Sequence, residues 1–224
     1  MRIKIAIIIS IIFLFSIVVK SQQLKFGFIA GTDLQKMFMK ETTEGGFHSI
    51  ENYSKPSFHI NGILGFQSDS WWKISLEPGY ILRGGMLNFV YHKGSNFYSS
   101  VNGKLYSNID LPILLDIDIY QNFYLSMGLG IDYTLSTFDD KKTLGVPIPN
   151  NEILTNRDNE FSYFAILGLN YKLSDTYEVC IRYNLGLSKY EHVNFVDDVY
   201  ISVYNNCLQF SLKYSDLKVN FCHS

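Results

Sequence analysis

Charge is scarce in this 224-residue chain: charged residues make up 18% of it, below the roughly 25% of an average soluble domain. Long hydrophobic runs are also absent beyond the N-terminus. This excludes a membrane-spanning helix in the body of the chain, because such a helix needs about 20 apolar residues. The three cysteines, Cys180, Cys207 and Cys222, form no CxxC motif. Neither a cysteine metal site nor a disulfide framework is therefore expected to organise the fold.

The one long apolar run lies at the N-terminus. Two basic residues precede Ile5 to Val19, and Val19-Lys20-Ser21 follows as a cleavage site. This order predicts a secretory signal peptide over residues 1–21, cleaved after Ser21. The alternative is an uncleaved anchor helix, although fifteen apolar residues are fewer than the ~20 that span a bilayer. Cleavage removes three basic residues and leaves a net acidic chain, which argues against a nucleic-acid partner.

Aromatic residues, at 16% of the chain, are by contrast plentiful, and many lie in alternating segments. Residues 123–136 read FYLSMGLGIDYTLS, in which every second residue is apolar or aromatic. A period of two predicts a β-strand with two unlike faces, and this one exceeds the ~9–11 residues that cross a bilayer at a tilt. The same pattern predicts eight strands in all, at residues 24–32, 57–67, 72–83, 105–119, 123–136, 161–173, 177–188 and 206–214.

The predicted connections alternate between long and short. The long ones cover 33–56, 84–104, 137–160 and 189–205, and the short ones resemble tight turns such as Tyr120-Gln121-Asn122. An even strand count with short periplasmic turns and long external loops is typical of outer-membrane barrels. We therefore predict an all-β fold for residues 22–224: an eight-stranded antiparallel up-and-down transmembrane β-barrel, of the OmpA or OmpX size.

The distribution of charge distinguishes this barrel from a soluble lipocalin-type barrel, which would carry charge outside. The apolar face of the predicted strands carries no charge, as lipid requires. The other face carries six acids and six bases, and equal numbers suit a closed, salt-bridged lumen. The predicted lumen charge network consists of Lys25, Lys73, Glu77, Arg83, Asp110, Asp116, Asp118, Asp132, Lys172, Glu178, Arg182 and Lys213.

Two prolines interrupt the predicted strands. Pro78 and Pro112 would lie almost opposite each other if their hairpin is centred near Gly94. Each proline removes a ladder hydrogen bond. The pair predicts either a bulge that shapes the barrel or a weakened seam that opens sideways or pairs with a partner.

Other candidate sites are weaker. The inward charges line either a conduit or a plugged core, and side chains just fill the interior of an eight-stranded barrel. Cys180 and Cys207 face inward on neighbouring strands, as either a disulfide or free thiols. His48, His92 and His192 fall in the long connections without a companion motif. We therefore predict no catalytic, cofactor-binding or metal site.

Several segments resemble the outer-membrane β-barrel domain family of Bacteroidota that includes PorT-like proteins. The resemblance spans Leu24 to about Tyr214, on LKFGFIAGTDL, ISLEPGYILRGG, IDLPILL, YLSMGLGIDYTLS and RYNLGLSKY. It implies an outer-membrane location and, for PorT-like members, a link to protein secretion to the cell surface by the type IX route. It implies no catalytic residues and no cofactor. One departure is that the alternation breaks after Tyr214, which predicts either a bulge at Ser215-Asp216 or a periplasmic tail over 215–224.

The expected function is therefore a non-catalytic one in the outer membrane. Its predicted partners are outer-membrane lipid and the proteins of a secretion system, with an accessory or structural role in the secretion or assembly of surface proteins. The alternative is an adhesion or ligand-binding barrel that acts through its four extracellular loops.

Overall fold

The computed structural model describes residues 22–41, 47–68, 71–93, 96–143, 153–156, 161–189, 191–195 and 199–220. The predicted signal peptide, its cleavage site and Cys222 lie outside these residues. No helix in the described part of the chain is long and apolar enough to cross a membrane.

The described residues form twelve strand segments joined into one antiparallel sheet. They are β1 (Gln22–Glu41), β2 (Phe47–Tyr53), β3 (Lys55–Ser68), β4 (Trp72–Leu76), β5 (Gly79–Lys93), β6 (Asn96–Tyr120), β7 (Phe123–Thr143), β8 (Ile153–Asn156), β9 (Phe161–Lys172), β10 (Tyr177–Gly186), β11 (Glu191–Phe195) and β12 (Val199–Asn220).

These segments close into a barrel. β1 pairs with β3 on one side and with β12 on the other, so the first and last strands meet. From β3 the ladder continues through β4 and β5 to β6, and then through β7, β9 and β10 to β12. Four pairs of consecutive segments each make one barrel strand: β2 with β3, β4 with β5, β8 with β9, and β10 with β11. The twelve described segments therefore make eight barrel strands. The predicted fold class is confirmed.

Several strands are longer than predicted. Much of each predicted long connection is strand, including all of β2, β8 and β11 and the distal parts of β5, β6 and β7. Periodicity missed these residues because a strand that has left the membrane meets water on both faces and needs no apolar side. β6, with 25 residues, is more than twice the ~9–11 that a bilayer crossing requires.

The end of the last strand contains a bulge. β1 pairs Gly27 with Ser215 but Phe26 with Leu217, so Asp216 is an extra residue in β12. Strand pairing then continues to Asn220. Of the two alternatives for this region, the bulge is therefore correct through residue 220, and a tail beginning at 215 is wrong.

The two faces of the barrel separate as their chemistry demands. On β7, the exposed side chains include Phe123, Leu129 and Leu135, whereas Ser126 and Asp132 are buried in the lumen. Phe123 to Leu135 spans about 40 Å along the strand, or about 30 Å at the usual barrel tilt. That height matches the hydrocarbon core of a bilayer, also about 30 Å.

Aromatic rings cluster at the end of the barrel that carries the short turns. Trp71, Tyr120 and Tyr177 are exposed there. The rings of Phe123 and Tyr171 lie 4.7 Å apart, between centroids, across β7 and β9. Such a girdle is expected where a barrel meets the membrane interface.

Candidate functional site in the barrel lumen

A compact charge cluster fills the part of the lumen between β4 and β12. We call it the Glu77 cluster; its members are Lys73, Glu77, Asp116, Glu178, Arg182 and Lys213. Its central carboxylate, Glu77, is 1% exposed. Arg182 donates to both Glu77 oxygens, at 2.5 and 3.2 Å. Glu77 Oε1 also accepts hydrogen bonds from Lys213 Nζ, at 3.3 Å, and from the Ser75 hydroxyl, at 3.1 Å.

The remaining members join around Glu178 and Asp116. Lys73 donates to both Glu178 oxygens, at 2.7 and 2.9 Å, and its Nζ lies 3.4 Å from Asp116. Ser126 donates a short hydrogen bond to Asp116. Three acids therefore meet three bases. Because each charge has an opposite charge within 4 Å, the cluster avoids much of the penalty of isolated buried charge.

A second ion pair lies further along the lumen. Arg83 Nε is 2.6 Å from Asp132 Oδ2, and both residues are 1% exposed. The guanidinium also lies over the Phe164 ring, 4.3 Å from its centroid. That ring occupies the space beside Gly130, where a Cβ would come within 2.2 Å of it. Gly130 therefore makes the room in which Phe164 supports Arg83.

Not every predicted network residue joins these groups. Asp118 is exposed near the periplasmic turn. Lys172 binds Asp175 at 2.7 Å in the turn after β9, and Asp175 is largely exposed. Lys25 borders a small cavity beside the Glu77 cluster, and Asp110 accepts a hydrogen bond from Asn61 at 2.9 Å. The six-against-six count therefore includes two residues at the rim.

The two prolines lie on adjacent rungs of the β4–β6 and β5–β6 ladder. Glu77 N donates to the Pro112 carbonyl at 2.9 Å, and Gly62 N donates to the Pro78 carbonyl at 2.8 Å. The register of β4 on β6 continues unchanged into that of β5 on β6. The predicted bulge at the prolines is wrong, because the ladder loses donors there without gaining a residue.

Sequence reasoning missed a buried relay. His59 Nδ1 lies 2.8 Å from Asp33 Oδ1, and His59 Nε2 lies 2.9 Å from Ser211 Oγ. The ring crosses β1 above Gly31, where a Cβ would come within 2.8 Å of it. The sequence pattern predicts a connection at Asp33, but β1 and its alternation continue through this residue. The pairing with Ser211 depends on barrel closure, which no local pattern reveals.

This relay has the residue types of a serine hydrolase, and its surroundings decide what it does. Asp33, His59 and Ser211 are 1%, 4% and 6% exposed. The cavity beside His59 measures about 10 Å³, room for about one water molecule. In this conformation the relay joins β3, β1 and β12 across the closure of the barrel, and an acyl substrate has no space at the hydroxyl.

The lumen cysteines are both buried free thiols. Cys180 pairs in register with Ser211, whereas Cys207 pairs with Asn184, four residues further along β10. At about 3.4 Å per residue their Cα atoms are too far apart for a disulfide, which needs roughly 4.4–6.8 Å. The disulfide alternative is wrong for this pair.

These features define a class of protein. A closed barrel with an uncharged apolar exterior of bilayer height and a charged, filled lumen is an integral membrane β-barrel of the outer-membrane type.

The chain is similar to several solved structures of outer-membrane β-barrel proteins. OprG of Pseudomonas aeruginosa is 12% identical over 87% of this chain and 95% of its own, with a TM-score of 0.44. Ail of Yersinia pestis is 12% identical over 86% of this chain and 99% of its own, with a TM-score of 0.41. The protease OmpT of Escherichia coli is 9% identical over 88% of this chain and 97% of its own, with a TM-score of 0.38. No family model and no curated protein matches the chain, so the PorT-like resemblance stays a prediction.

Proposed function

We propose that the chain is a non-catalytic integral protein of the bacterial outer membrane, PorT-like, with an accessory or structural role in the secretion or assembly of surface proteins. The filled lumen is the observation that carries this proposal. The Glu77 cluster, the Arg83–Asp132 pair and the His59 relay together occupy the interior. A barrel filled in this way acts through its wall and its projecting hairpins rather than as a wide pore.

Two measurements test this proposal. In planar bilayers the refolded barrel should show no steady conductance of porin size, and a stable open channel would refute a filled lumen. In cells, a tagged protein extracted in mild detergent should co-purify with identified components of a secretion system. Unchanged display of surface proteins after deletion of the gene would refute the secretion role.

The projecting strands favour one second candidate, adhesion or ligand binding outside the cell. The hairpin of β5 and β6 continues in register to Lys93 and Asn96, far beyond the membrane. Phe89 and Ser100 are register partners, so replacing residues 90–99, which lie between them, with Asn-Gly would shorten the hairpin without changing the barrel register. Loss of attachment with surface-protein secretion intact would favour adhesion; the reverse result would favour secretion.

A further inference from the structure

The barrel wall lacks two hydrogen-bond donors at one place. Two cross-strand pairs would normally exchange two backbone hydrogen bonds each. They are Gly62 with Pro78 and Glu77 with Pro112. Each pair keeps one bond, because proline has no N–H. On the neighbouring strand Pro112 pairs with Gly130, near the middle of the exposed apolar stretch of β7. The weak point therefore lies at mid-bilayer depth, where water cannot replace the lost donors.

A side chain replaces one of these donors. Asn61 Nδ2 donates to the Glu77 backbone carbonyl at 2.8 Å, the acceptor that an N–H on residue 112 would have served. It also donates to Asp110 Oδ1 at 2.9 Å. Gly79 makes the room, because a Cβ there would come within 2.2 Å of Asn61 Cγ. A rotatable side chain thus holds a seam that a backbone hydrogen bond normally holds.

One rung of the seam, Gly62 with Pro78, has little bulk on its lipid side. Gly62 and Pro78 are both exposed there, and the only atom near a Cβ built on Gly62 would be the Pro78 carbonyl oxygen, at 3.8 Å. No large side chain from these two residues covers the weakened rungs.

A cavity lies directly behind the seam, in the lumen. Asn61 and Pro112 line it, together with the apolar Phe164 and the polar Arg182 and Asn184. Arg182 Nε and Asn184 Oδ1 have no hydrogen-bond partner although they are buried. Each such atom carries an unmet desolvation cost, so this side of the cavity suits a molecule with a hydrogen-bonding group.

We propose that the wall at Pro78 and Pro112 is a lateral portal, latched by Asn61, between the membrane hydrocarbon and this lumen cavity. The structure shows its closed state, since the cavity of about 10 Å³ has room for only about one water molecule. The molecule that passes is small and uncharged, because charge is costly at mid-bilayer depth, and it carries a hydrogen-bonding group for Arg182 and Asn184. A short-chain alcohol or a phenol has this chemistry. This activity is additional to the secretion role and independent of it.

Cys180 is a built-in reporter, because it packs with Ile29 and Ile63 and Ile29 lines the cavity. In a C207S/C222S background, refolded into dimyristoylphosphatidylcholine vesicles, the rate of Cys180 modification by N-ethylmaleimide would report access from the lipid. Asn61→Ala should raise this rate about tenfold by removing the latch. The double variant P78A/P112A restores both ladder donors and should lower the rate by at least about fivefold, roughly one net hydrogen bond.

Ser162→Ala is the matched control. Ser162 is buried and lumen-facing and lies on the same rung of the barrel, opposite Asp132, but it does not line the cavity behind the portal. In Ser162→Ala, the rate of Cys180 modification by N-ethylmaleimide should equal that of the parent. Equal rates in the parent, N61A and P78A/P112A would overturn the portal. If N61A does not fold, P78A/P112A decides alone, because it adds backbone hydrogen bonds rather than removing a contact.

Two further measurements test, respectively, whether access to Cys180 is from the lipid and which class of molecule the cavity binds. A charged thiosulfonate that modifies Cys180 as fast as N-ethylmaleimide would show access from water and overturn the lateral route. Benzyl alcohol added to the lipid should shift the Arg182 ¹⁵Nε–¹H resonance in the parent and not in P78A/P112A. An unchanged resonance in the parent would overturn the assignment of the ligand class.

Discussion

Replacing Glu77 with glutamine would test how much of this barrel's stability rests on its lumen charges. The change keeps the size of the side chain and removes only its charge. It leaves the Glu77 cluster with two acids against three bases. Arg182 is the most affected, because both of its hydrogen bonds within the Glu77 cluster go to Glu77. Lys213 keeps Asp116 at 3.8 Å and Glu178 at 4.0 Å.

The expected cost is about 3–5 kcal/mol of unfolding free energy, the range found when one partner of a buried ion pair is removed. Arg182→Met should cost a similar amount, since Lys213, at 3.3 Å, is then the one base of the cluster in contact with Glu77. The double variant E77Q/R182M restores the balance at two acids and two bases. It should be more stable than the sum of the single changes predicts, by at least about 2 kcal/mol.

The assay is equilibrium unfolding by guanidinium in phosphatidylcholine vesicles, followed by tryptophan fluorescence. Asp175→Asn is a matched control, because it breaks the Lys172–Asp175 ion pair, in which the Asp175 side chain is 84% exposed. An exposed pair contributes less than about 1 kcal/mol. Additive single variants, or an E77Q cost no larger than that of D175N, would refute the view that the cluster behaves as one coupled unit.

Three further predictions concern the wall and the lumen. Gly130→Ala should cost about 1–3 kcal/mol in the same assay, because the new methyl group displaces the Phe164 ring; an unchanged midpoint would contradict this. Leu129→Arg, at an outward position that is 64% exposed, should cost about 2–4 kcal/mol, whereas Phe123→Arg at the interface should cost about 0–1. Equal costs would mean that Leu129 does not face hydrocarbon. Alkylation of the denatured chain without reductant should modify both lumen cysteines, and a mass that shows either one protected would contradict the register.

Much of the membrane-embedded barrel was predictable from local pattern. In β7 the alternation of Leu129 and Ile131 with Gly130 and Asp132 follows directly from one face in lipid and one in the lumen. The predicted bounds are too short where strands leave the membrane, as for β6, which begins at Asn96 and not at residue 105, because a strand in water has no reason to alternate. Pattern also could not choose between a bulge and a tail after Tyr214, since both break the phase.

Candidate-site residues were predictable as a set but not as partners. Each charge of the Glu77 cluster is inward by parity, yet nothing local pairs Glu77 with Arg182, 105 residues away. The alternation of β3 turns His59 inward, but its contact with Ser211 needs β12 to close on β1. Asn61 resembled an ordinary polar lumen residue until the position of Pro112 showed which donor it replaces.

By itself the sequence determined the eight strands, their alternating faces and the sign balance of the lumen, because a period of two in a low-dielectric membrane allows no other assignment of charge. Only the tertiary structure decided which charges meet, where the ladder lacks donors and which side chain fills the gap. Those depend on register and on closure between strands distant in the chain, where a shift of one residue would turn every lumen side chain toward the lipid.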